Sequence, residues 1–380
     1  MNEIDIVRNQ NEFQALRAEW TALWNDVSGT HGESFIACWL VWNCILRQTG
    51  SSLCIVTARR QRRLIAVWPL VRMRNRLWTV LRPLSPESAD YTTLLCDPAH
   101  ASVQLMQSMW RTACEKSGVD IVTLPYVAQD SALYQVAMSH EGLIAATQAP
   151  YTIARLSCEK DWAQFAGSLG TLSGKKPGAL RRRLERQGTV AIRVLGPDDA
   201  DENARIIDWM LACKRDWAER VDKKGQWLYS MPYRDFLVAL ANHRDSEGDN
   251  ACARVMIVEL NGVPVAANMV GLGKASVIGA IAGFDRQYAK FAPGSIATEE
   301  WVRWALENRR DFDLGIGSES FKAYWSKGNT GVACSFQIAQ SRWGRVAFAM
   351  RRAATKISAA RAETQRGQEV ATSAETGSSG

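Results

Sequence analysis

The sequence predicts an α/β protein of the α+β kind, made of two similar units in which helices flank mostly antiparallel strands. Three observations predict it. Apolar residues recur at helical spacing in some segments and as short strand-like runs in others. Each half contains a hairpin signal: the basic turn Arg59-Arg60-Gln61-Arg62 between runs 52–58 and 63–71, and Asn261-Gly262 between runs 253–260 and 263–272. Each half then repeats one order of elements: helix, hairpin, further strand, helix, strand, helix. The 380 residues, 47% apolar and 22% charged, bury a core without staples. At ~150 residues per domain, two domains are expected. Wholesale disorder, a collagen-like repeat and a disulfide miniprotein are excluded. No close repeat of short period is present.

The elements follow in order. Phe13, Leu16, Trp20, Leu23 and Trp24 space a helix over 10–28, and Ser34 caps a second that ends near Arg47. Strands are expected at 52–58, 63–71, 78–84 and 91–96, a helix at 102–117, a strand at 121–124, a helix at 131–140 and a strand at 151–156. Residues 161–189 link the halves, with a helix at 162–169 and a basic helix at 179–187. The second half reads as strand 190–195, helix 198–220, helix 231–242 with Pro232 in its first turn, and strands 253–260, 263–272 and 276–284. A loop rich in aromatic and basic residues (285–293) precedes a helix at 294–308. Strand 312–315 ends at Gly315 and Gly317, and a short helix 321–327 and strand 335–339 close the fold. The expected units are therefore 1–160 and 190–345. Ala, Thr, Glu, Gln, Ser and Gly dominate 353–380, which reads as a disordered tail.

Lys and Arg number 46 against 39 Asp and Glu, a net charge of +7. This excess fits an anionic partner (nucleic acid, membrane surface or phosphorylated cofactor) or an ordinary solvated surface. Arg351, Arg352, Lys356, Arg361 and Arg366 carry part of it at the C-terminal end. The nine cysteines stand singly, none has an evident base partner, and with four His a zinc or other metal site is disfavoured. Free thiols fit a reducing cytosol. The N-terminus lacks the basic and apolar regions of a signal peptide. The apolar run 35–46 is too short to span a bilayer, and 255–284 is broken by Glu259, Asn261, Pro264 and Lys274. A soluble cytoplasmic protein is expected.

Four segments carry candidate chemistry. Phe291-Ala292-Pro293-Gly294-Ser295 opens a helix, with Lys290 and Arg286 just upstream: an anion site, or an ordinary capped start. Segment 311–325 delivers Asp313, bends at two glycines, then sets Glu319 and Lys322 three apart on one helical face. A carboxylate beside a lysine at a strand end suits deprotonation of an amine or hydroxyl; the alternative is a surface ion pair. Segment 175–186 holds Lys175, Lys176, Arg181, Arg182, Arg183 and Arg186. It is a phosphate-binding stretch or an amphipathic helix with a solvated basic face. Asp90, Tyr91, Trp39, Trp42, Trp217 and Trp227 line an acceptor pocket or fill the core. GxGxxG, Walker, HExxH and GxSxG motifs are absent.

These residues resemble a known family. Trp68-Pro69-Leu70, Ala89-Asp90-Tyr91, 181–188, 261–266, 288–294 (Tyr288 to Gly294) and 312–322 (Phe312 to Lys322) are similar to GNAT-superfamily acyltransferases of the CelD/BcsL type. These carry a BioF2-like acetyltransferase domain and are related to the tandem Fem aminoacyltransferases. The last two segments are the most specific, and the likeness spans roughly 10–340. It implies tandem GNAT-like units, each a mixed, mostly antiparallel sheet, with acyl-coenzyme A (acetyl-CoA or another) as donor. It further implies an amine, hydroxyl or glycan acceptor, and a link to exopolysaccharide or cellulose production. By this resemblance Lys290, Phe291, Pro293, Gly294 and Ser295 hold the donor. Glu319 and Asp313 serve catalysis, and Lys322, Trp325, Asp90, Tyr91 and Trp217 meet the acceptor. Phe321 stands where the family usually has Tyr, so a phenol that protonates the leaving thiolate must be Tyr288 or Tyr324, or is absent. The Gly-rich pyrophosphate loop is reduced to one Pro-Gly. The alternatives are a Fem-like transferase whose basic helix meets aminoacyl-tRNA, and a non-catalytic GNAT-fold binding protein.

Overall fold

In the computed structural model, residues 2–86, 91–147, 152–223, 225–244 and 251–353 are described. The N-terminal half runs β1 (Glu3–Val7), α1 (Gln10–Ala15), α2 (Arg17–Asp26), α3 (Phe35–Cys44), β2 (Ser52–Arg60), β3 (Arg63–Asn75), β4 (Trp78–Pro83), β5 (Leu95–Cys96), α4 (Val103–Ser117), β6 (Ile121–Ala128), α5 (Ala132–Met138), β7 (Leu143–Thr147) and β8 (Thr152–Leu156). Then come α6 (Trp162–Ser168), α7 (Ala179–Glu185), β9 (Val190–Leu195), α8 (Ala200–Arg220), α9 (Met231–Asn242), β10 (Ala253–Leu260), β11 (Val263–Leu272), β12 (Ser276–Phe284), α10 (Pro293–Glu307), β13 (Asp311–Ile316), α11 (Ser320–Trp325) and β14 (Thr330–Ala339). A last helix, α12, covers 342–353.

Several elements differ from the sequence expectation. The helix expected at 10–28 breaks at Leu16. Asn9 caps its first turns through the Glu12 N–H (2.9 Å), and the Leu16 N–H is shared between the Glu12 and Phe13 carbonyls. The strand expected at 91–96 keeps only β5, because Tyr91–Leu94 leaves the ladder. β14 begins at Thr330 rather than 335, and β1, β7 and α12 were not anticipated. The tail beyond 353 lies outside the described residues.

The strands form one mixed, mostly antiparallel 14-stranded sheet in the order β1-β2-β3-β4-β6-β14-β8-β13-β12-β11-β10-β9, with β5 beside β3 and β7 beside β14. The two parallel pairs, β4 with β6 and β12 with β13, occupy equivalent places in the two halves. The halves exchange strands. β8 lies between β13 and the first residues of β14, and the rest of β14 lies between β6 and β7.

One helical layer covers the same face of both halves. Phe13, Trp20 and Phe35, with ring centroids 5.2–5.8 Å apart, join Trp42, Phe236, Leu237, Val67 and Ile257 in a single core. Trp39 packs on this core, and Trp227 stacks edge-on against Tyr233 at 4.9 Å. α8 lies so close on β12 that a Cβ at Gly283 would sit 3.0 Å from the Met210 carbonyl oxygen. On the opposite face Trp68, Met109, Trp110 and Phe336 fill the N-terminal half, and Trp301, Val302 and Phe312 fill the C-terminal half. All nine cysteines are free.

The exchange makes a prediction about fragments. A piece comprising 190–345 lacks β8, which leaves β13 and β14 without their shared neighbour. It is expected to melt well below the full chain and to aggregate, whereas a piece beginning at 152 folds. Equal melting of the two pieces in circular dichroism would show that β8 adds nothing to that half.

Candidate active site

The site is a fork between two parallel strands. β12 and β13 pair only where Ser276–Ile278 meet Asp311–Asp313. Beyond that point β12 stays on β11 as far as Phe284, while β13 bends toward β8 and reaches register again at Ile316 opposite Ile153. Gly315 and Gly317 supply the bend, with φ of 77° and 144°. The β12 arm therefore presents a strand edge unpaired on one side. Its residues there are small: Gly279, Ala280 and Ala282 are exposed, and a Cβ at Gly279 would meet nothing within 4 Å. The matching fork in the N-terminal half is filled by the chain itself. β5 lies against β3, and both the backbone N–H and the hydroxyl of Thr92 donate to the Pro125 carbonyl on β6 (3.0 and 2.5 Å).

A cavity of about 570 Å³ lies at the apex of the open fork. Ile278, Gly279 and Asp313 form one wall, and Tyr91, Arg155, Glu33 and His31 approach from the N-terminal half and β8. Leu84, Leu94, Phe236 and Leu240 make much of the rest apolar, within the usual size and character of small-ligand pockets. Asp313, 15% exposed, is fully engaged. Tyr91 O–H donates to Oδ1 at 2.9 Å, the Gly315 N–H donates to Oδ1 at 2.8 Å, and Arg155 Nε meets Oδ2 at 3.4 Å. Arg155 and Asp313 are direct cross-strand partners.

Glu33 is the acidic residue that sequence reading missed. It closes a capping box with Thr30, whose N–H and hydroxyl both donate to Glu33 Oε2 at 2.8 Å. Oε1 receives no hydrogen bond among the described residues. Burial pushes this carboxyl above the usual range, against the Thr30 bonds and the nearby Arg155 charge. The signal available in the sequence was the Thr30-x-x-Glu33 spacing, which reads as a helix start and not as a site. His31, on the same turn, is held neutral. Burial lowers it to about 4 against the opposing pull of the Leu272 backbone, and its Nδ1 has no partner among the described residues.

The turn after β12 forms the mouth of the fork. Asp285 caps it through the Gln287 N–H (2.8 Å), and Ala292, at φ 52°, leads into α10. The helix start offers fewer donors than expected. Pro293 has no N–H, and the Ser295 and Ile296 N–H groups both go to the Ala292 carbonyl, so at this helix start Gly294 N–H is left without a partner among the described residues. Side-chain cations supply the remaining positive charge. Lys290 Nζ and Arg183 lie 5.0 and 5.6 Å from the Phe291 ring centroid. Arg183 comes from the basic α7, which docks on α10 through Gly178 N–H to Glu299 (2.5 Å) and Arg181 to Glu300 (3.3 Å).

The residues of α11 gather on the other arm. Lys322, nearly buried, donates to the Ile316 carbonyl at 2.5 Å and pairs with Glu319 at 3.1 Å, which ties down the glycine bend. Glu319 is 58% exposed. Its partial burial raises its carboxyl, but its own backbone N–H and Lys322 outweigh that and hold it below the usual range. Across the fork, Lys214 on α8 lies over Trp217 at 4.3 Å; burial and Lys223 lower its ammonium, while Glu319 opposes them. Trp325 is buried among Trp162, Phe165 and Tyr324. Tyr324 O–H donates to the Gly170 carbonyl at 3.3 Å, and Tyr288 packs on the cluster that includes Leu184 and Phe291. Neither phenol lines the cavity. Of the expected site residues, Asp313 and Tyr91 meet at the apex, Lys290, Phe291, Pro293, Gly294 and Ser295 share the mouth, and Glu319 and Lys322 form a pair near Trp217. Asp90 lies outside the described residues.

Residues 178–323, from the start of α7 through most of α11, match the family described as an acetyltransferase (GNAT) domain. Solved structures are similar in fold. FemX aligns with a TM-score of 0.55 at 10% identity over 87% of this chain and 96% of its own. A conserved protein of unknown function from Bacteroides thetaiotaomicron gives 0.54 at 13% identity over 89% and 100%. A C-terminal domain named for lysylphosphatidylglycerol synthetase, from Agrobacterium fabrum, gives 0.50 at 11% identity over 88% and 95%. No curated protein matches the chain in sequence. Residues 178–323 thus match a GNAT-type acetyltransferase domain, within a chain of mixed α/β fold.

His31 couples the site to stability. Its folded pKa of about 4 lies below the unfolded 6.5, so the unfolded chain takes up the proton first. This contribution is complete above pH 6.5 and is lost on acidification toward 4, at up to about 1.4 kcal/mol per pH unit. Glu33, raised by burial, acts in the opposite sense, so the comparison is with His31→Gln. Denaturant titrations at pH 7 and pH 5 are expected to show wild type losing more stability than the variant; equal losses would mean the ring protonates freely in the folded state.

Proposed function

We propose that the chain is an acyltransferase that moves an acetyl or other acyl group from acyl-coenzyme A to an amine or hydroxyl. The observation that carries the reading is the fork, open between β12 and β13 and filled in the N-terminal half. We therefore assign the donor to the C-terminal of two GNAT-like units. The residues present fit such a donor. An unpaired strand edge with open space at Gly279 suits an extended arm, and Lys290, Arg183 and the Gly294 N–H suit its phosphates. When bound, the donor supplies a thioester carbonyl at the apex.

The chain's own groups then divide the work. Phe291 and Pro293 shape the mouth, Ser295 adds a hydroxyl beside it, and Glu319 with Lys322 fixes the β13 arm. Glu33, with its free oxygen at the cavity, accepts the proton of the attacking amine or hydroxyl, a role suited to a carboxyl raised by burial. Asp313, saturated by three donors, instead orients Tyr91. That phenol holds the proton required by the departing sulfur as the C–S bond breaks and the new C–N or C–O bond forms. Tyr288 and Tyr324 support other packing. A glycan acceptor in exopolysaccharide or cellulose production, a CelD/BcsL relationship and work in the cytoplasm belong to this proposal. They rest on motifs 288–294 and 312–322 and on nine free thiols. A Fem-like transfer from aminoacyl-tRNA has one observation in its favour: Arg182 on α7 and Arg186 just after it are exposed, beside the mouth.

Two measurements test the reading. Calorimetric titration with acetyl-coenzyme A is expected to give micromolar binding that is lost in Gly294→Glu and weakened in Lys290→Glu. Absence of binding by folded wild type, together with a salt-sensitive tRNA complex, would favour the aminoacyl route. With an accepted amine in hand, Glu33→Gln is expected to lower turnover by about 100-fold or more while donor affinity holds, and Glu319→Gln to lower it far less. The reverse order would return the base role to Glu319.

A further inference from the structure

The β3–β4 hairpin tip and α12 meet on a surface far in sequence from the fork. The Trp78 indole N–H donates to the Trp343 carbonyl at 3.0 Å, the Trp343 indole N–H donates to the Leu77 carbonyl at 3.3 Å, and the two rings lie 5.6 Å apart. α12 carries two apolar stripes. Gly344 and Phe348 face the protein, with Gly344 so close that a Cβ would reach the Asp120 carbonyl oxygen. Trp343, Val346 and Met350, at i, i+3 and i+7, form a second stripe that faces outward. They are 45%, 40% and 55% exposed, and the neighbouring Leu77 is 61% exposed. A helix normally buries its apolar stripe, and a contiguous bare one marks an interaction surface.

The charge around this stripe has one sign. Residues 72–82 and 341–353 contain eight arginines and no Asp or Glu. Arg74, Arg76, Arg342 and Arg345 are exposed, and none forms an ion pair with a described residue. The carboxylate that touches the helix start, Asp120, is occupied by the Thr79 N–H at 2.9 Å and the Ser341 hydroxyl at 2.6 Å. We propose that this face docks the protein on an anionic phospholipid bilayer, with α12 lying in the interface.

The chemistry selects this occupant. Aliphatic Leu77, Val346 and Met350 enter the acyl boundary, Trp343 sits at headgroup depth, and the arginines meet lipid phosphates. A nucleic acid would leave the aliphatic residues in water, since they offer no ring for bases to stack on. A second copy would set arginine against arginine. Among the described residues no helix is long and apolar enough to cross a membrane, so the contact is peripheral.

The test is co-sedimentation of the full chain with vesicles of phosphatidylglycerol and phosphatidylcholine, against phosphatidylcholine alone. Binding to the anionic vesicles, weakened by salt, is expected. Arg342→Gln and Arg345→Gln each weaken it about 5-fold, and Val346→Glu with Met350→Glu abolishes it. Both arginines are exposed and form no ion pair with a described residue, so their variants fold even if the glutamate pair does not. No binding of the full chain to anionic vesicles would overturn the proposal. So would arginine variants that bind like wild type, a lipid-independent dimer dispersed by the same substitutions, or RNA that binds where vesicles do not.

Discussion

The ion pair between Arg155 and Asp313 depends on a strand that has crossed from one half to the other. β8 follows the N-terminal half in sequence and lies beside β13 in the C-terminal sheet, so the two residues face each other in register. Without that crossing, Asp313 would lack its cation, the β13 arm would have an open edge, and β14 would have no partner for its first residues. The cavity, the fork and the joint between halves therefore share one cause. A cross-strand pair at a partly exposed position contributes little by itself. The ladder that carries it is what holds the apex.

The two halves use the same arrangement differently. In the N-terminal half, the segment that closes the fork against Pro125 begins with Tyr91, and Tyr91 reaches across to Asp313. The residues that block one fork thus furnish the other. Carboxylates divide in the same way. Asp313 is bound on both oxygens, Glu319 is screened by water and Lys322, and Glu33 keeps one oxygen for the cavity. Three chemically similar groups thus stand in three different environments, which shift the protonation of Glu33 and Glu319 in opposite directions.

Much of the fold was legible because local chemistry dictated it. Asn261 and Gly262 both take positive φ, 53° and 78°, as a tight hairpin with that pair requires. Ser34, Ser102 and Ser131 cap helices at their expected starts. The glycine bend after Asp313 was visible for the same reason. What was hidden is long-range. Nothing local says that β8 pairs with β13, or that Thr330–Val332 extends a strand whose apolar part begins later. Gln61 and Arg62 turn at positive φ without glycine, held by the strands on either side. Glu33 spoke only as a helix cap, since its place at the cavity depends on walls contributed by β8 and α9.

β14 also fixes an order of events during synthesis. The N-terminal sheet is bordered at β6 by a strand that is among the last described parts of the chain to be made. At about 5–20 residues per second, the interval between β7 and β14 leaving the ribosome is on the order of 10–40 s. Throughout that time the β6 edge has no permanent neighbour, while the C-terminal sheet, whose borrowed strand β8 comes early, can close as soon as β13 emerges. The half that is translated first is thus finished last. A nascent chain stalled before residue 330 should occupy chaperones through its N-terminal half, not through the half still being extended.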